Sequence, residues 1–161
     1  KYLQSLKAGG ATTFAAGSGK ISKGLKITEI TKGRDFEASY LETVKAMREG
    51  FDVIYQGALK LGEFAGYTDF LVKVDRPSNL GNYSYEVWDT KLSMSTKPEY
   101  VIQLSCYSEM LADIQGLMPE NIVIVLGDQT QDVLRLSEFS AYYRRFKAKF
   151  MQSQTDFDPN E

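Results

Sequence analysis

The 161 residues include nineteen basic and twenty-one acidic side chains, a net charge of −2, and 43% of them are hydrophobic. This suits one soluble domain with its own core, excludes a membrane span because no apolar run approaches the roughly 18 residues needed, and lacks the basic excess of a bulk nucleic-acid binder while leaving room for a locally basic groove. The absence of histidine removes Ser-His-Asp, Cys-His and His-zinc chemistry together, and the single cysteine, Cys106, excludes an internal disulfide or a thiolate cluster.

In chain order, Tyr2–Lys7 predicts the end of a helix stopped at Gly9-Gly10, and residues 11–24 predict a flexible Gly/Ser-rich loop. Because the chain opens at Lys1 with helix-like text, it is expected to be a piece of a longer protein or a trimmed product. No signal-peptide pattern is present, so a cytoplasmic location is expected. Lys26–Ile30 alternates as a short strand. Asp35 to Arg48 predicts a helix, N-capped by Asp35 and stopped by Gly50, with apolar residues at three- and four-residue spacing.

Residues 52–59 and 67–74 predict two strands of a hairpin turning near Gly62-Glu63. A third strand, Tyr83 to Leu92, follows a turn-rich connection. Glu99 to Gln115 predicts a helix closed by Gly116. Ile122–Leu126 is a continuous apolar run, as expected of a strand covered on both faces, and Val133–Leu136 pairs beside it. Ser137 is the expected cap of a last helix over 138–152. The division expected is a helix remnant and loop over 1–34, a core over 35–152, and a frayed acidic tail over 153–161.

Three pieces of this text carry chemistry. Asp89 and Lys91 are two apart on a strand and share a face with Tyr85 and Val87, while Glu86, Trp88 and Thr90 take the other. Asp69 lies on the preceding strand, where it converges on Asp89 if the two strands are neighbours. Paired carboxylates repel unless they share a proton or a cation, and such hard oxygens suit Mg²⁺ or Mn²⁺, with the Thr90 main-chain carbonyl as a further ligand. Lys91 then offsets charge developing on phosphorus. Gln103 and Tyr107 are four apart on one helix face, so a Gln amide orients Lys91 or a phosphate and the tyrosine meets a nucleic-acid strand. Taken singly, the Asp–Lys pair also reads as an internal ion pair, and Gln103 as a polar residue at a helix margin.

Gly66–Asp69, Asp89–Lys91 and Gln103–Tyr107 together resemble, in type, order and spacing, the RecB-like branch of the PD-(D/E)XK nuclease superfamily. Val53–Gln56, Tyr85–Leu92, Gln103–Leu111, Val125–Asp128 and Ala141–Arg145 are similar to a bacterial group of RecB-like nucleases, some of them fused to superfamily 1 helicases. The resemblance spans residues 35–150. It implies an α/β fold with a restriction-endonuclease-like αβββαβ core, a mixed sheet flanked by helices. It implies a metal-dependent deoxyribonuclease, exonuclease-like and acting in DNA repair or processing on single strands or ends, with a helicase fused or associated. Asp69 and Asp89 would hold the Mg²⁺ or Mn²⁺, Lys91 would be the catalytic lysine, and Gln103 and Tyr107 would lie near DNA.

The branch usually carries a Gly-x-x-His-Glu helix before the first strand. This chain has no histidine, so that motif is expected upstream of Lys1. The rival expectation is a catalytically incomplete nucleic-acid-binding or structural domain that keeps the fold. Gly17-Ser18-Gly19-Lys20 is not a P-loop, because Phe14 and Ile21 stand where Gly and Ser or Thr are required. On the last helix, Tyr142, Phe146 and Phe150 are expected on the core while Arg144, Arg145 and Lys149 face water; the alternative sets those cations along a phosphate backbone. Trp88 is expected in the core, and Glu86 and Glu109 at the periphery.

Overall fold

The computed structural model describes residues 25–33 and 35–155. The expectations for residues 1–24, including the opening helix, the loop and the Gly17–Lys20 decoy, and for residues 156–161 fall outside the described residues. The elements are β1 (Ile27–Glu29), α1 (Phe36–Arg48), β2 (Val53–Tyr55), β3 (Ala58–Leu61), β4 (Phe64–Tyr67), β5 (Phe70–Val74) and β6 (Ser84–Thr90). They continue with α2 (Pro98–Gln115), β7 (Asn121–Val125), β8 (Gln131–Arg135), a 3₁₀ turn at Leu136–Glu138 and α3 (Ser140–Thr155).

Six strands form a mixed sheet in the order β1-β2-β5-β6-β7-β8. β2, β5 and β6 run antiparallel in turn, whereas β7 is parallel to β6 and β8 antiparallel to β7. A parallel neighbour needs a crossover connection, and α2 supplies it between β6 and β7. Side-chain alternation divides the sheet. Ile54, Leu71, Tyr85, Val87, Ile122 and Ile124 point to the face covered by α1 and α2, where Met47, Leu104 and Leu111 meet them. Val53, Phe70, Val72, Trp88, Val123 and Val125 occupy the opposite face. Trp88 and the whole apolar stretch of β7 are buried, as expected.

α1 begins and ends where its sequence predicts. Asp35 is extended (φ −133°) and its carboxylate accepts the Glu37 N–H at 3.0 Å, while Gly50 takes a left-handed φ of 74° beyond the last turn.

The two strands expected over 52–59 and 67–74 are each broken in the middle. Gln56 adopts a left-handed φ of 58° and donates its N–H to the Asp69 carbonyl at 2.9 Å. The Gly57 carbonyl accepts the Thr68 N–H at 2.8 Å and its hydroxyl at 3.2 Å. The outer halves therefore leave the sheet as a separate hairpin, β3–β4, closed by a two-residue turn with Gly62 at φ 59°. The hairpin leans on the helices: Thr43 of α1 accepts the Ala58 N–H at 2.9 Å, and Leu59 is fully buried. Alternation continues straight through the break, so the pattern of apolar residues does not reveal it.

The last helix begins at Ser140, after the 3₁₀ turn, rather than at Glu138. Tyr143 is its buried aromatic, and Tyr142, Phe146 and Phe150 keep 45%, 45% and 42% of their surface exposed, contrary to expectation. The cause is Glu109 on α2. It accepts the Tyr143 hydroxyl at 2.9 Å and pairs with Lys147 at 2.8 Å, which turns the 143/147 stripe inward. Among the described residues no helix is long and apolar enough to cross a membrane.

Candidate functional site

Asp69 stands in the break between β4 and β5, one residue before the sheet resumes at Phe70. Its main chain is held by the Gln56 N–H, and its Oδ2 accepts the Thr90 N–H at 2.9 Å and the Thr90 hydroxyl at 2.8 Å. The β5–β6 register pairs Phe70 with Trp88, so Asp69 comes opposite Asp89 as strand parity requires. The two carboxyls lie close enough to shift each other's acidity.

Two ionised carboxylates this close repel, and the two residues separate in acidity. Burial pushes Asp89 up to about 7, reinforced by the Asp69 charge and opposed by Lys91. Asp69 falls below its ordinary value: burial acts against this, but the bonds from Asp89 and from both Thr90 donors, with the Lys91 charge, outweigh it. Asp89 is 7% exposed and its Oδ2 is enclosed, with the Lys91 ammonium 2.8 Å away but no hydrogen bond of sound geometry reaching it.

Lys91 Nζ also donates to Gln103 Oε1 at 3.1 Å and lies 4.7 Å from the centre of the Tyr100 ring. One turn further along α2, Tyr107 stands beside Gln103. Burial raises its hydroxyl pKa, the Gln103 bond lowers it, and the Asp89 and Asp69 charges add to the rise. A Cβ on Gly66 would stand 2.7 Å from the Tyr107 hydroxyl oxygen and 3.0 Å from Cε1. Glycine at that position of β4 is therefore what lets the tyrosine ring lie against the hairpin.

Asp69, Asp89, Lys91, Gln103 and Tyr107, expected together from sequence, thus form one connected group. Thr90 joins it through its N–H and hydroxyl. Glu109 and Glu86 stand apart: the first is held by α3, and the second, buried on the opposite face, accepts the Asn121 N–H at 2.8 Å. Three further contributors escaped sequence reasoning, namely Tyr100 beneath the lysine, Gln56 behind Asp69, and Gln115.

Gln115, fully buried, accepts the Tyr85 N–H at 2.9 Å and donates to the carbonyls of Tyr85 and Leu117 at 3.2 and 2.8 Å. It pins the end of α2 to the start of β6, as Gln103 and Lys91 join the opposite ends. Twelve residues of helix rise ~18 Å and six of strand span ~20 Å, so the two contacts are commensurate and fix the helix along the strand. Its signal in the sequence is position: Leu104, Ser108, Leu111 and Gln115 fall on one stripe, which is buried throughout.

No protein-family model matches the chain, and no curated protein matches it. The geometry therefore carries the functional reading. Among the described residues no group of three or more His, Cys, Asp or Glu side chains is arranged to hold a metal ion. The donor set is two carboxylates on adjacent strands, one already oriented by Thr90 and one with a buried oxygen lacking a well-formed hydrogen bond. That set fits Mg²⁺ or Mn²⁺, which takes one or two protein carboxylates and completes its shell from water and phosphate. It does not fit zinc or calcium, which take three or more protein ligands.

Proposed function

We propose that the chain is a metal-dependent DNA nuclease domain of the RecB-like PD-(D/E)XK type, in which Asp69, Asp89, Lys91, Gln103 and Tyr107 form the reaction centre. The observation that carries this reading is the β5–β6 register, which sets Asp69 opposite Asp89, beside an ammonium 2.8 Å from the second of them. An internal salt bridge needs one acid for one base; here a second, half-buried acid stands against the first, and desolvated excess charge of this kind is costly unless a ligand completes it. The strand order supports the same reading, since one helix, three successive antiparallel sheet strands, a crossover helix and a parallel strand form the αβββαβ succession of restriction-endonuclease-like cores.

Asp69 and Asp89, with the Thr90 carbonyl, would hold Mg²⁺ or Mn²⁺, which when bound polarises a phosphoryl oxygen and makes water more acidic. Thr90 fixes the plane of the Asp69 carboxylate through two donors on one oxygen. Lys91 donates to Gln103 and its nitrogen stands 2.8 Å from the Asp89 carboxylate, which holds the ammonium where it would offset the negative charge that grows as phosphorus is attacked. Tyr100 holds the ammonium from below, and Tyr107 supplies an aromatic face and a protonated hydroxyl to the strand being cut.

The test is incubation of the chain with end-labelled single- and double-stranded DNA, with Mg²⁺ or Mn²⁺ and with a chelator. Metal-dependent cleavage that falls roughly 100- to 1,000-fold in Lys91→Ala is expected, the usual consequence of deleting one electrostatic stabiliser. Cleavage indifferent to chelator or to Lys91→Ala overturns the proposal, and binding without any cleavage replaces it with a nucleic-acid-binding domain.

A further inference from the structure

α3 is the most basic element of an otherwise slightly acidic chain. Between Ser140 and Thr155 it carries Arg144, Arg145, Lys147 and Lys149 and no acidic residue, against a net charge of −2 for all 161 residues. Lys147 is neutralised by Glu109, whereas no ion pair among the described residues engages Arg144, Arg145 or Lys149. The same helix leaves Tyr142, Phe146 and Phe150 more than two-fifths exposed. A helix that wanted only to cover α2 would turn these rings inward.

The rings are continuous with the candidate reaction centre. Phe146 and Phe150 form a cleft of about 110 Å³ with Phe64 of β4 and with Ile102 and Cys106 of α2. Phe64 and Phe150 are stacked obliquely, their ring centres 6.1 Å apart. Ile102 and Cys106 directly precede Gln103 and Tyr107 in the chain. Phe64 and Gly66 point to the same face of β4, two residues or ~7 Å apart, and Gly66 is the residue against which Tyr107 rests. A path therefore runs from Asp89 across Tyr107 to Phe64 and out along α3. An enclosed cavity of roughly 150 Å³ admits benzene, so the cleft suits the edge of one planar ring.

We propose that α3 is the binding track for a single-stranded nucleic acid whose cut phosphodiester lies at Asp69 and Asp89. Bases stack on Phe146, Phe150 and Tyr142, and Arg144, Arg145 and Lys149 follow the phosphates. The inference rests on the nuclease reading for its direction, and what it adds is the surface that holds the strand. A single strand is required because paired bases offer no free ring faces, whereas aromatic platforms interleaved with cations take unstacked bases with little regard to sequence. A membrane surface would also attract a basic helix with aromatic residues, but the cleft opens beside Tyr107 and Phe64 rather than on an isolated helix face.

The experiment is fluorescence anisotropy of a labelled 20-residue oligo(dT) with the 161-residue chain in chelator, so that no cutting occurs, over a series of salt concentrations. Arg144→Ala/Arg145→Ala/Lys149→Ala is expected to weaken binding at least 10-fold and to reduce the slope of log K against log salt by about 2, near 0.7 for each lost contact on a single strand. Phe146→Ala is expected to weaken it at least fivefold with an unchanged slope, the effect of losing one stacked base. Because the three cations are exposed, the triple variant keeps its far-ultraviolet circular dichroism and melting temperature.

Unchanged affinity in the triple variant overturns the proposal. So does tighter binding of duplex than of single strand, binding of phosphatidylserine vesicles in preference to oligo(dT), or concentration-dependent dimerisation that the Phe146 variant abolishes. Asp89→Asn separates this inference from the one beneath it. Binding through α3 without cleavage by the parent chain leaves the track standing and removes the nuclease; cleavage of long and dinucleotide substrates equally affected by no α3 variant removes the track and leaves the nuclease.

Discussion

The two ends of β6 bury polar groups in opposite ways. At its start, every group has a partner: Gln115 takes both main-chain groups of Tyr85, the Tyr85 hydroxyl donates to the Phe51 carbonyl at 2.5 Å, and Glu86 accepts the Asn121 N–H. At its finish, Asp89 faces a second acid and keeps an enclosed oxygen without a sound hydrogen bond. Satisfied polar networks rigidify a fold, and partly satisfied ones cost it stability. The first end therefore reads as a fastening. The second reads as an arrangement tolerated because something outside the protein completes it, which is where local rules are expected to fail in a folded chain.

The sharpest way to break the comparison is to remove the excess charge at the finish. Asp89→Asn keeps the shape and gives Asp69 an amide donor where a second acid stood. Cleavage is expected to fall by roughly 100- to 1,000-fold, while the metal-free variant melts no lower than the parent and resists urea at least as well. A variant that is both inactive and clearly less stable would make Asp89 a structural residue and remove the contrast.

At the start of the strand the expected balance is reversed. Gln115→Leu preserves bulk but abandons the Tyr85 amide and carbonyl and the Leu117 carbonyl inside the core. A loss of about 2–3 kcal/mol in urea unfolding is expected, the range for stranding buried backbone groups. Activity per folded molecule should change much less than in Asp89→Asn. Equal damage to stability and to turnover would show that the two ends act as one unit.

Gly66→Ala probes the seam between hairpin and site. The new Cβ meets Tyr107 at 2.7 Å and cannot be accommodated without moving the ring. Overpacking of this kind costs about 1–3 kcal/mol, and displacement of Tyr107 should raise KM for DNA more than it lowers kcat. An unchanged KM would mean that Tyr107 does not touch substrate.

Much of this geometry is legible in the sequence because it depends on parity. Asp69 shares a face with Leu71, and Asp89 with Tyr85 and Val87, so the acids can converge once the two strands pair, and the register does set them opposite each other. The Asp35 cap and the buried run of β7 are equally local. What escaped depends on contacts between distant residues. The break at Gln56 and Gly57 exists because Thr68 and Asp69 answer it eleven to thirteen residues later. The inward turn of Tyr143 depends on Glu109, 34 residues earlier. Gln115 resembles any polar residue near a helix end until Tyr85 is seen to need it.

The smallest expected effect concerns the other buried acid of β6. Burial raises the pKa of Glu86 above its ordinary value of 4.5, against the lowering effects of the Asn121 N–H and of Arg76. The folded chain therefore keeps a proton that the unfolded chain has already released, and stability falls as pH rises from 4.5 through the raised value. Glu86→Gln has no proton to lose and still offers an oxygen to Asn121. Urea midpoints of parent and variant should coincide near pH 4 and separate by pH 7, with the variant the more stable. Because Glu86 points away from Asp89, cleavage should be unaltered across the same range. Curves that run parallel, or a variant weaker at neutral pH, would mean that the carboxylate at the start of β6 is held as an anion by the Asn121 N–H and Arg76, a charged fastening rather than a neutral one.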